Sequence, residues 1–189
     1  MLTGILAALA ISAAAGMRIA LPLLIISLTE HQNFWSNVPL LHEIPPQVVL
    51  TILVSWSLFE FFGSKQLLGQ RVLQQVQLGL SPLVGLLLAV TVGKVAEYQL
   101  PQLWLIGISG GVFALLLQLV QVGWFFRLNG IPPWVAFSED ILSVLLVFYA
   151  FNAPAEGGLI AMMLLWLALR SAAAWKQWHQ NQGKSVKPD

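Results

Sequence analysis

An all-α integral membrane bundle is the fold class this sequence predicts, and three observations predict it. The 189 residues are 58% hydrophobic and only 9% charged, where a soluble domain carries about 25% charged residues. Mean hydropathy is +0.79. The apolar residues gather into six segments, about 2–28, 46–63, 79–96, 101–126, 138–153 and 156–174. Crossing a bilayer takes ~20 such residues, within a range of about 17–25. No polar stretch is long enough for a second core, so residues 1–178 read as one multi-pass domain and 179–189 as a short polar tail.

The first segment is the most informative. Its run of small residues, Ser12-Ala13-Ala14-Ala15-Gly16, resembles a signal-peptidase site. A positive amino-terminal region is missing and the apolar run continues to Leu28, so a retained span is expected. A straight helix of this length would exceed a hydrocarbon core of ~30 Å. Gly16 and Pro22 flank the one charge in the run, Arg18, and a break or kink is expected there. A guanidinium stays protonated, and placing it at bilayer depth costs roughly 2.5 kcal/mol on insertion scales. Arg18 therefore either lines an anion-binding or gating path or forms a structural ion pair between helices.

Charge sets the expected orientation. Lys65, Arg71, Arg127, Arg170, Lys176, Lys184 and Lys187 all fall on one side of a six-span arrangement. The other side holds Lys94 with Glu30, Glu43, Glu97 and Glu156. The positive-inside rule then predicts that both termini are cytoplasmic. Trp124, Phe125, Phe126, Trp134, Trp175 and Trp178 at the inner boundary, with Trp35 and Trp104 at the outer one, read as an anchoring belt.

Composition excludes several classes. A net charge of +1 gives no basic surface for nucleic acid. The absence of cysteine excludes disulfides and thiolate chemistry. His31, His42 and His179 lie in loops or the tail, so no haem, metal or other cofactor is expected. No HExxH, nucleophile elbow or phosphate loop occurs, and the chain is not expected to be an enzyme.

Partners for Arg18 are few. Glu60 stands among Phe59, Phe61 and Phe62, with Lys65 within local reach. Glu139 and Asp140 follow Ser138; this is either an ordinary capped helix start or, with Glu60, a vestibule that binds a cation or relays a proton. Gly110 and Gly111 in the fourth span permit either an unwound ion-binding segment or close helix packing. Gln118 and Gln121 share a face and either bond across helices or line a wet path. Segment 64–78 reads as an amphipathic interfacial helix, an extension of the second span, or a solvated connector. The outer loop 29–45 is polar and shows no site. Ser81-Pro82-Leu83-Val84-Gly85 and Ala153-Pro154-Ala155-Glu156-Gly157 begin the third and sixth spans alike, which suggests a three-plus-three inverted repeat.

Ala14-Ala15-Gly16-Met17-Arg18 leading to Leu21-Pro22, Glu60 with Lys65, Ser81-Pro82-Leu83-Val84-Gly85, and Ser138-Glu139-Asp140 together resemble a bacterial membrane family, domain of unknown function 4126. The resemblance extends to about residue 170. It implies a multi-pass protein, suits a cyanobacterial source, and brings no established activity. It singles out Gly16, Arg18, Pro22, Glu60, Pro82, Gly85, Glu139 and Asp140; Ser64 stands where the pattern leads one to expect an Asp before the lysine.

The expected function is a small transporter or channel, its polar path built from Arg18, Glu60, Glu139 and Asp140 and its cargo an ion or small solute. The alternative is a scaffold or assembly factor for other membrane proteins or for copies of itself. Lipid handling or intramembrane catalysis is a third reading. The expected location is a bacterial cytoplasmic membrane, or a thylakoid membrane in a cyanobacterium.

Overall fold

Pro22 decides how the first apolar run folds. In one continuous helix its ring would press on the carbonyl of the residue four before it, Arg18, and it has no N–H to give. The structure, a computed structural model, describes residues 2–29 and 44–185, with side chains as far as Ala173. Here the run is broken at Arg18 and Ile19. Helix α1 covers Leu2–Met17 and α2 covers Ala20–Thr29. Pro22 thus falls in the first turn of α2, where the N–H groups lack intrahelical partners anyway.

Five helices follow: α3 (Pro46–Gly63), α4 (Leu67–Val95), α5 (Leu100–Leu128), α6 (Pro133–Asn152) and α7 (Pro154–Ser185). Proline at the first or second position starts α3, α5 and α6, where its fixed φ suits a helix. Asn129 and Gly130 end α5, with φ of 53° and 131°. Among the described residues there is no strand. Helices α4 and α5, α6, and α7 as far as Ala173 are long and apolar enough to cross a membrane, while α1 and residues 47–63 of α3 are shorter apolar helices. Among the described residues four helices are thus of spanning length, where about six spans were expected.

Helix α1 is the axis of the bundle. It packs against α4, α5, α6 and α7 at once, and every residue from Ala10 to Met17 is buried. Small side chains make this possible, since they let helix backbones approach closely. Gly16 lies against the Ala114 backbone, and Gly110 lies between Ser12 and Ala89. Gly85 faces Ala114 and the Gly110 carbonyl, and Gly111 faces the Pro82 carbonyl. Gly110 and Gly111 thus serve close packing within a continuous α5, with no unwound segment. Helix α2 packs on α3 and α6 instead. The outward faces carry large apolar residues, among them Phe62, Trp104, Leu105, Phe148 and Met163, as contact with lipid requires.

Four expectations change. First, the amino end of α1 lies beside Ala96 and Tyr98, and Leu6 lies on Gly158 at the start of α7. Further along α7, Ser171 meets Trp124 near the far end of α5. Helix α1 therefore begins at the Tyr98 end of the bundle, and α7 runs to the Arg127 end. The expectation of both termini on one side treated residues 2–28 as one crossing, whereas α1 enters from the Tyr98 end and stops at Arg18 inside the bundle, with Gly16 against Ala114 and the Ala15 carbonyl on Ser81 midway along α4. Second, segment 64–78 does not extend the second span: from Leu67 onward it is the first half of α4. Gln70, Gln74 and Gln77 face inward, while Leu68, Val72 and Gln75 face outward. Third, Ser138 is not a helix cap. Helix α6 starts five residues earlier at Pro133, and Ser138 donates to the Trp134 carbonyl inside it at 2.8 Å. Fourth, Pro82 sits inside α4 whereas Pro154 opens α7, so the two segments compared as a repeat occupy unlike places. Phe125, expected in the aromatic belt, is buried; Trp124, Phe126, Trp134 and Trp104 are exposed. The outer-loop residues Glu30, His31, Trp35, His42 and Glu43 and the tail residues Lys184 and Lys187 lie outside the described residues or their side chains, as do the side chains of Trp175, Lys176, Trp178 and His179.

Candidate functional site

The break in the first helix leaves main-chain groups that need partners, and side chains from two other helices supply them. The Arg18 N–H makes the last bond of α1, to the Ala14 carbonyl at 2.9 Å. The next N–H, that of Ile19, would reach Ala15 in a continuous helix. It donates to Glu60 Oε1 at 3.4 Å instead, and Ala20 N–H donates to Glu60 Oε2 at 3.3 Å. The Ala15 carbonyl, thus released, accepts from Ser81 Oγ at 3.2 Å. Ser143 Oγ similarly donates to the Ala14 carbonyl at 3.4 Å. Ser81 and Glu60 therefore replace main-chain bonds across the break, and Ser143 adds a second donor to a carbonyl that keeps its own.

Glu60 is 1% exposed, and four donors converge on it. Besides the two amides, Gln77 Nε2 donates at 2.9 Å and Trp56 Nε1 at 3.1 Å. A carboxylate at the first turn of α2 also meets the positive end of that helix dipole. Arg18 holds the complementary place, a cation at the carboxyl end of α1, 4% exposed. Its Nε lies 2.6 Å from Asp140 Oδ1 and its Nη2 lies 4.0 Å from Glu139 Oε2. Nη2 also donates to the Ala136 carbonyl at 3.3 Å. The partner of Arg18 is thus the acidic pair of α6, and Glu60 serves the backbone of α2.

A polar cavity of about 20 Å³ adjoins this cluster, lined by Arg18, Gln74, Gln77, Gln121 and Glu139. That is room for about one water molecule. Gln70 lies at its edge towards the Arg127 end. Its Nε2 donates to the carbonyls of Ser64 at 2.7 Å and Ile131 at 2.9 Å, and its Oε1 accepts from Ile131 N–H at 2.9 Å. This one side chain ties the α3–α4 connection to the α5–α6 connection. Gln74 Nε2 and both amide atoms of Gln118 are buried without a hydrogen-bond partner.

Gln70, Gln74, Gln77, Trp56 and Ser81 were not among the candidates read from the sequence. The signal was there in the glutamines, spaced at four and three residues along one face of α4. In a membrane bundle the polar face turns inward, so the amphipathic pattern has to be read in reverse. Among the described residues no group of three or more histidine and acidic side chains could hold a metal ion.

The family described as Domain of unknown function (DUF4126) matches residues 5–174. The chain belongs to this family. The matched span of this DUF4126 protein includes the broken helix, Glu60, the glutamine face of α4 and the acidic pair of α6. No curated protein and no solved structure matches it.

Proposed function

We propose that this DUF4126 protein is a small membrane transporter or channel whose moving part is the junction between α1 and α2. One observation carries the reading. Both half-helix ends at the break are held by side chains, Arg18 by Asp140 and Glu139 and the α2 amides by Glu60. Discontinuous helices whose ends bind charged groups near the bilayer midplane are a recurrent transporter device. Contacts made by mobile side chains can be exchanged for a solute or ion, whereas main-chain helix bonds cannot. The adjoining cavity gives such a species a place to start. Toward the Tyr98 end the axis is filled by Ala13, Ala14 and the Gly85–Gly110 seam, so this conformation is the closed one.

Orientation follows from charge. Lys65, Arg71, Arg127 and Arg170 belong to the Arg127 end, while Lys94 at the Tyr98 end is accompanied by Glu97 and Glu156. By the positive-inside rule the Arg127 end faces the cytoplasm, in a bacterial cytoplasmic membrane. Helix α1 then starts on the outer side.

The scaffold reading draws on Arg18, whose side chain is 5% exposed and ion-paired. Against it, the small residues that would form lateral protein contacts are turned inward, and the lipid-facing surface is bulky.

Ion flux in proteoliposomes, with anion and cation gradients applied separately, tests the proposal. Wild type should pass one class of ion, and Arg18→Gln should abolish that flux or change its selectivity. Silence under both gradients would sink the ion-path reading, and partners that co-purify in mild detergent would then favour the scaffold.

A further inference from the structure

Away from the charge cluster, α5 and α7 part to leave a groove of about 440 Å³, lined by Leu116, Leu119, Trp124, Phe126, Arg127 and Leu169 among others. Gly123 leaves the room: a Cβ placed on it would meet nothing within 4 Å. From Leu116 to Arg127 the groove extends about 16 Å along α5 at 1.5 Å per residue. That is the depth of one leaflet of a ~30 Å hydrocarbon core. Its walls are apolar toward the middle of the bundle. Its rim, at the Arg127 end, is polar and cationic. There Trp124 Nε1 donates to Ser171 Oγ at 2.7 Å, joining α5 to α7, and Arg127 stands exposed in the last turn of α5.

We propose that this groove seats one anionic glycerophospholipid, its acyl chain between α5 and α7 and its phosphate on Arg127. Apolar walls of one-leaflet length ending at a guanidinium match the charge order of such a lipid and no soluble ligand. A guanidinium with its planar donor fork suits a phosphate. The seat also borders the site. A second cavity shares Val120, Trp124, Ala168 and Ser171 with the groove and reaches Gln121 and Glu139. The seated lipid therefore packs one layer away from the partner of Arg18. This assignment does not depend on the transport reading, because it concerns binding alone.

Quenching of tryptophan fluorescence by brominated acyl chains tests it on the full chain in phosphatidylcholine vesicles. Dibrominated phosphatidylglycerol and dibrominated phosphatidylcholine are compared at equal mole fraction. The share of quenching that disappears in Trp124→Phe reports the groove. For that share, the anionic lipid should associate about fivefold more strongly, the size one basic side chain confers at a membrane surface. Arg127→Gln, an exposed change, should bring the ratio to about one. Gly123→Leu should fill the groove and reduce Trp124 quenching by both lipids. Equal quenching by the two lipids in the wild type, or a preference that survives Arg127→Gln, would overturn the proposal. So would a Trp124 shielded from both lipids, which would mark the groove as a contact with a second copy or another protein.

Discussion

Arg18→Gln leaves Glu139 and Asp140 in the bundle without their cation. Removing one partner of a buried ion pair costs roughly 3–5 kcal/mol, so thermal unfolding in detergent should show a large loss. Combining it with Asp140→Asn and Glu139→Gln should recover much of that loss, because no uncompensated charge then remains. If the single variant melts like wild type, Arg18 is solvated in a way its 2.6 Å contact with Asp140 does not express. At this scale the sequence pointed to Arg18 and to three carboxylates as its possible partners, since a lone charge in an apolar run must have one. It could not choose among Glu60, Glu139 and Asp140. Sequence distance says nothing of which carboxylate meets the guanidinium and which meets a helix end. Glu60 met the helix end because Ile19 and Ala20 had lost their own acceptors.

Among the elements, the contrast between two glycines gives a direct check on the packing. A Cβ on Gly110 would lie 2.5 Å from Ser12 Oγ and 2.6 Å from Ala89 Cβ, while one on Gly79 would meet nothing within 4 Å. Gly110→Ala should therefore destabilise the fold by about 1–3 kcal/mol, as overpacking does. Gly79→Ala should stabilise α4 by roughly 0.5–1 kcal/mol, the ordinary gain of alanine over glycine within a helix. Denaturation midpoints of the two variants in one detergent decide it, and equal effects would contradict the α1–α4–α5 seam. The existence of most helices was legible from apolar run length. Their starts were less so. Apolar counting began the third span at residue 79, but α4 begins at Leu67 because its glutamine face has Glu60, Ser64 and Ile131 to bond.

For the whole molecule, the opposite placement of the α1 start and the Arg127 end is open to labelling. The chain has no cysteine, so single cysteines introduced at the exposed positions Thr3 and Gln75 report without background. In sealed cells an impermeant thiol reagent should modify Thr3→Cys from outside, and Gln75→Cys only after permeabilisation. Modification of both only after permeabilisation would restore the cytoplasmic amino terminus and would contradict the contact of Gly4 with Tyr98.

The sequence by itself determined the class of molecule: a chain so apolar and so poor in charge has no soluble fold open to it, and membrane depth leaves helices as the economical way to satisfy its backbone. It also marked Arg18, and, through Pro22 beside Gly16, the place where the first run gives way. Only the tertiary structure decided what that break does. Whether a helix interrupted at a proline bends or ends depends on what waits to bond its freed amides and carbonyls, and here Glu60 and Ser81 come from two other helices, while Asp140 from a third holds the Arg18 side chain. The direction of the chain was decided in the same way. One span or two half-elements differ by which end the amino terminus occupies, and that is fixed by the packing of α1 at the centre of the bundle, not by the length of its apolar run.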